Sequence, residues 1–133
     1  MKQEEKELLL KDLCARLPYG VKAVLKQTNC HNSTKHKVSE KDIYSFRTGN
    51  PLEEDYGQHD YYKVIVTNIK PYLFPLSSMT PKQKAELSML VVGVEDIFKS
   101  FLIEVEFYHK HHIDYRGLIP MGLAIDATGL NIY

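Results

Sequence analysis

Tyr61-Tyr62-Lys63-Val64-Ile65-Val66-Thr67 decides the fold class. Aromatic and β-branched residues fill it, and these suit a pleated, half-buried surface better than a helix, where they lose side-chain freedom. The stretch predicts a strand. Upstream, Val21-Lys22-Ala23-Val24-Leu25-Lys26-Gln27 has partly alternating apolar character and Ile43-Tyr44-Ser45-Phe46-Arg47 alternates weakly, so two or three antiparallel strands occupy the middle of the chain. Downstream, Ile69-Lys70-Pro71-Tyr72-Leu73-Phe74-Pro75-Leu76 carries two prolines that fix φ and bias Lys70 and Phe74 toward extended geometry. This reads as a proline-rich crossover.

Helical signals lie on both sides. Over residues 4–17, Leu9, Leu10, Leu13, Cys14 and Leu17 recur at three- and four-residue spacing, which leaves Lys11, Asp12 and Arg16 for solvent. Pro18-Tyr19-Gly20 ends that helix. Residues 28–41 are polar and read as a loop, and Thr48-Gly49-Asn50-Pro51 reads as a turn. A second helix starts at Thr80-Pro81-Lys82-Gln83, where a threonine cap, a proline at the first position and a glutamine make a capping box. Leu87, Leu90, Val91 and Val94 are its apolar stripe. Residues 101–108 fit both periods, and the lack of a turn signal between Glu95 and His112 favours a helix from about Val94 or slightly later to His111. Gly117, Pro120, Gly122 and Gly129 then predict a tail of tight turns that buries Leu118, Ile119, Leu123, Ala124 and Ile125.

The expected architecture is α+β in a single domain of residues 1–133: an N-terminal helix, a small antiparallel sheet of two to three strands, the crossover, C-terminal helices and a turn-rich tail. A chain of 133 residues is the size of one domain. Seventeen Lys+Arg balance seventeen Asp+Glu, so no global field selects a charged partner. At 44% hydrophobic and 26% charged residues the composition excludes a disordered chain. No apolar run approaches the ~20 residues that span a bilayer, and the mixed charges of Met1-Lys2-Gln3-Glu4-Glu5-Lys6-Glu7 do not suit a secretory signal. A cytoplasmic protein with two free thiols, Cys14 and Cys30, is expected.

Lys70-Pro71-Tyr72-Leu73-Phe74-Pro75-Leu76-Ser77-Ser78-Met79-Thr80, His111-His112-Ile113-Asp114-Tyr115-Arg116-Gly117-Leu118-Ile119 and Leu13-Cys14-Ala15-Arg16-Leu17-Pro18-Tyr19-Gly20-Val21 carry a resemblance. Together they resemble a family of short uncharacterised proteins from gut Bacteroidales and their prophages or mobile elements. The likeness covers a minority of the chain, and residues 28–58 and 93–104 follow no pattern of that family. It implies a setting and carries over no activity, cofactor or catalytic residue.

The densest chemistry is His109-Lys110-His111-His112-Ile113-Asp114. On a helix His109 and His112 share a face at i and i+3, a separation that two ligands of one metal can use, and with Asp114 they are the candidate set for a metal-dependent hydrolase or nuclease, although no established zinc spacing is present. The plainer reading has the histidines at a helix C-terminus, where imidazolium favours the dipole. Tyr115 and Arg116 could meet a carboxylate or phosphate, whereas the structural alternative has Asp114 capping a turn that Gly117 permits. Cys30, His31 and His36 supply the residue types of a thiol hydrolase without its motif. Lys22, Lys26, Lys35, Lys37 and Lys41 make a basic half-surface that suits either phosphates or edge-strand protection. Nine tyrosines, Tyr56, Tyr61 and Tyr62 among them, suit an interface or a core boundary. With no complete catalytic constellation, the reading is a non-enzymatic interaction or accessory protein without cofactor, whose partner is another protein or a second copy. The alternatives are the metal-dependent enzyme and a weak nucleic-acid binder through the lysines.

Overall fold

Helix α1 (Gln3–Arg16) opens the chain in the computed structural model, which describes residues 1–27, 34–55 and 61–133, with backbone alone for 34, 35, 53–55 and 61–63. Glu5 closes its first turn by accepting the Lys2 N–H on Oε2 at 3.2 Å. Leu9, Asp12, Leu13 and Arg16 form the buried face. This is a rotation from the expected stripe: Leu10 and Leu17 are half-buried, Cys14 is exposed, and Asp12 and Arg16, expected in solvent, have no exposed surface. Arg16 Nε donates to Asp12 Oδ2 at 2.8 Å, one turn away, and mutual pairing is what lets two charges enter an apolar face.

The chain forms two compact units, Met1–Tyr72 with Tyr133, and Leu73–Ile132. In the first, Leu17–Tyr19 tightens into a 3₁₀ turn and Gly20, at φ +70°, leads into β1 (Lys22–Gln27). Strand β1 pairs antiparallel with β2 (Thr34–Lys37) and with β5 (Val66–Pro75). Val21, Ala23, Leu25 and Ile69 are fully buried, the alternation of a sheet with one face on a core. A separate ribbon pairs β3 (Leu52–Asp55) with β4 (Tyr61–Val64). The stretch read as one strand from Tyr61 to Thr67 is therefore interrupted at Ile65.

Three expectations for this part of the chain are corrected. Ile43-Tyr44-Ser45-Phe46-Arg47 belongs to helix α2 (Glu40–Thr48), not to a strand. Ser39 Oγ accepts the Asp42 N–H at 3.3 Å, Asp42 Oδ2 accepts the Ser39 N–H at 2.9 Å, and Gly49 at φ +71° closes the other end. Ile43 and Phe46, one turn apart, are buried, and Ser45 Oγ accepts the Val66 N–H at 2.8 Å. The expected loop also contains β2 and the start of α2; its residues 28–33 lie outside the described residues. The proline-rich stretch is no crossover but the body of β5 up to Pro75. Each proline stands at the last pair of its ladder, Pro71 opposite Ala23 and Pro75 opposite Asp114, where a missing N–H is tolerated.

In the second unit the end of β5 pairs in parallel with β6 (Ile113–Asp114) and also with β7 (Ile125–Asp126), where the Ala127 N–H reaches Leu73 O at 2.8 Å. Counted along β5 the sheet has five strands rather than two or three, and it is not purely antiparallel. Helix α3 (Pro81–Val91) starts on the expected box: Thr80 Oγ1 accepts the Gln83 N–H at 3.1 Å and Gln83 Oε1 accepts the Thr80 N–H at 3.0 Å. Helix α4 (Ile97–Lys110) settles residues 101–108 as helix. Leu118, Leu123 and Ala124 of the tail are buried, with Ile119 and Ile125 half-buried. Among the described residues no helix is long and apolar enough to cross a membrane.

Candidate functional site

The His-rich segment is where α4 ends. The His111 N–H bonds to Phe107 O at 3.1 Å and the His112 N–H to His109 O at 3.2 Å, and His112 takes φ +58°, which releases the chain into β6. His109 and His112 therefore do not share a helical face, because the helix stops at Lys110 between them. Asp114 is buried and spends both oxygens on backbone: Oδ1 accepts the Leu118 N–H at 2.8 Å and Oδ2 the Ile119 N–H at 2.9 Å. His109 Nε2 lies 2.7 Å from Tyr115 Oη. Among the described residues, no three His, Cys, Asp or Glu side chains are grouped to hold a metal ion.

Tyr115 and Arg116 do come together, as parts of an aromatic stack. The Arg116 guanidinium lies 5.0 Å from the Tyr115 ring centre, and the Tyr115 ring stacks on Tyr108 at 5.5 Å. Tyr108 donates to Glu104 Oε1 at 2.6 Å, and burial, reinforced by Glu104, pushes its hydroxyl up to about 12. Chemically the His109–Tyr115 pair can share a proton. The nearby cavity of about 210 Å³, below the usual size of a small-molecule site, is lined by Ser78, Thr80, Gln83 and Ile113 rather than by this pair. The cluster pins α4 to the turn that follows it.

Of the other predicted residues, Cys30, His31 and Tyr56 lie outside the described residues, and His36 Nε2 stands 3.3 Å from Asp42 Oδ2. Lys22, Lys26, Lys37 and the backbone of Lys35 fall on paired strands, whereas Lys41 lies on α2. Tyr72 is buried and Tyr133 Oη donates to its carbonyl at 2.7 Å while accepting the Lys22 N–H at 2.9 Å. Burial pushes the Tyr133 hydroxyl up to about 12.

The feature that the sequence reading missed is a surface. Leu87, Leu90, Val91 and Val94, the expected apolar stripe, do not enter a core: α3 contains no buried residue, Leu87, Val91 and Val94 are half-buried and Leu90 is exposed. Helices α3 and α4 contact each other across a turn in which Gly93 takes φ +79° and Asp96 Oδ1 caps α4 by accepting the Phe98 N–H at 2.8 Å. Around that turn Met89, Val92, Ile97, Phe98, Phe101 and Leu102 are 61% to 81% exposed. The signal was available: Ile97, Phe98, Phe101, Leu102 and Ile103 spread apolar side chains over more of the first half of α4 than one partner helix can cover. No family model matches the chain, and neither the curated proteins nor the solved structures hold a match to it.

Proposed function

We propose that the protein is a non-enzymatic interaction module that associates with a second copy of itself through the apolar face of the α3–α4 hairpin. The exposure of Met89, Val92, Ile97, Phe98, Phe101 and Leu102 carries this reading. At ~150–250 Å² for a large side chain, their exposed fractions amount to roughly 800 Å². That exceeds the ~300–600 Å² of the largest apolar patch on an ordinary monomer, and it equals the ~800 Å² that each partner contributes to a standard interface. A second copy fits this patch because two-fold symmetry sets like face on like face, which an apolar surface satisfies without charge matching. Helix α3 has 11 residues and none buried. Isolated helices of that length are marginal in water, so packing two hairpins into a four-helix arrangement stabilises both.

His109, Asp114 and Tyr115, the side chains best suited to chemistry, are engaged in holding the segment after α4, which supports an accessory rather than an enzymatic role. The resemblance to short Bacteroidales proteins adds a prophage or mobile element as the proposed setting, and a cytoplasmic location is proposed beside it. Sedimentation velocity over a range of concentrations tests the association. The expected result is twice 15.4 kDa at high concentration and dissociation on dilution. The pair Phe98→Asp and Phe101→Asp should be monomeric throughout with an unchanged far-UV spectrum. A wild-type chain that stays monomeric at every concentration overturns the proposal, and so does one whose hairpin is covered only by vesicles or by a different protein.

A further inference from the structure

The zero net charge conceals a segregated one. Register sets Lys22 opposite Lys37, Val24 opposite both Lys35 and Lys70, and Lys26 opposite Asn68. Directly opposed residues of antiparallel strands belong to the same sheet face, and alternate residues along a strand share it. Five lysines thus hold positions on one face of β2-β1-β5, and Ala23, Leu25 and Ile69 occupy the opposite, buried face. The three strands contain no Asp or Glu. Like charges set directly opposite each other destabilise a strand pair, so Lys22 against Lys37 is a cost in the isolated protein that a polyanion removes.

An aromatic ring borders one of these lysines. Lys22 Nζ lies 5.9 Å from the centre of the Tyr133 ring, which is 43% exposed and whose hydroxyl is anchored to the Lys22 and Tyr72 backbone. A fixed, partly open ring at Lys22, on a sheet face that also carries the other lysines, has the two elements that hold single strands: charge along the backbone and a platform for a base. A duplex keeps its bases stacked and offers the ring nothing.

We infer that the lysine face of β2-β1-β5 binds single-stranded nucleic acid, with phosphates along Lys22, Lys26, Lys37 and Lys70 and a base on Tyr133. This rests on strand register and is independent of the helical hairpin. Four neutralised phosphates give a log–log salt slope of about −3 for a single strand, so affinity falls about 50-fold from about 50 to 200 mM salt.

Fluorescence anisotropy of the full chain with a labelled oligothymidylate measures it, beside a duplex of equal length. Expected is salt-sensitive binding of the single strand, weaker binding of the duplex, and a shallower slope with at least ten-fold lower affinity for Lys26→Gln/Lys37→Gln/Lys70→Gln. Lys82→Gln/Lys84→Gln on α3 should bind as wild type does. Tyr133→Phe keeps the ring but loses the hydroxyl that anchors it and should lose less affinity than Tyr133→Leu, which should lose about ten-fold; circular dichroism checks that each variant folds. No binding at low salt, preference for the duplex, or an equal loss in the α3 variant overturns the inference.

Discussion

Breaking the Asp12–Arg16 pair should be among the most destabilising single changes available in the first unit. Both side chains are fully buried and joined at 2.8 Å on the face of α1 that also buries Leu9 and Leu13. An exposed pair one helical turn apart contributes about 0.3–0.5 kcal/mol. Removing one partner of a buried pair costs about 3–5 kcal/mol, because the remaining charge stays in an apolar setting without its counter-ion. Asp12→Ala should therefore lower stability by about 3–5 kcal/mol, a large share of the ~5–15 kcal/mol that holds an ordinary domain together. For a chain of this size the thermal midpoint should drop by roughly 10–20 °C. Replacing both groups by apolar residues of similar bulk removes the charges together, so Asp12→Leu/Arg16→Met should be near neutral or more stable by about 1–4 kcal/mol. Urea denaturation of the two single variants and the double variant closes the cycle. Leu13→Ala, a buried truncation on the same face expected to cost about 2–5 kcal/mol, serves as the yardstick. Single variants within about 1 kcal/mol of wild type would match an exposed pair and refute the burial argument.

Asp114→Ala strands two backbone N–H groups, those of Leu118 and Ile119, at about 1–3 kcal/mol each when buried. Asp114→Asn keeps one acceptor oxygen and should cost less; a slow Leu118 amide in Asp114→Ala hydrogen exchange would contradict that role. High pH offers a second probe. Tyr108 and Tyr133 are held neutral up to about 12, chiefly by burial, whereas an unfolded tyrosine ionises near 10. Above that value the unfolded chain loses protons first. The stabilisation is whole below pH 10 and is lost as pH climbs through about 12. Urea midpoints that rise over this range, or tyrosinate absorbance complete by pH 10, would show the assignment to be wrong.

What could be read from the chain alone was what a few adjacent residues decide. Thr80-Pro81-Lys82-Gln83 marks the start of α3 because its hydrogen bonds close within one turn. Pro18 and Gly20 end α1 by their own backbone limits, and Asp114 finds its donors four and five residues on. Ile43-Tyr44-Ser45-Phe46-Arg47 was misread for a related reason: its alternation is weak, and the deciding signals, Ser39 with Asp42 and Gly49, flank it.

Tertiary structure decided everything that depends on a partner remote in sequence. Lys22 faces Lys37 and shares a face with Lys70 only through register, which no local pattern encodes. Asp12 and Arg16 are at i and i+4 either in water or in a core, and packing chose the core. Met89 and Leu90 of α3 and Ile97, Phe98, Phe101 and Leu102 of α4 have the composition of an interior, yet they stand in solvent. Hydrophobicity states that a side chain gains by leaving water; which neighbour covers it is settled by the assembly of elements far apart in the chain.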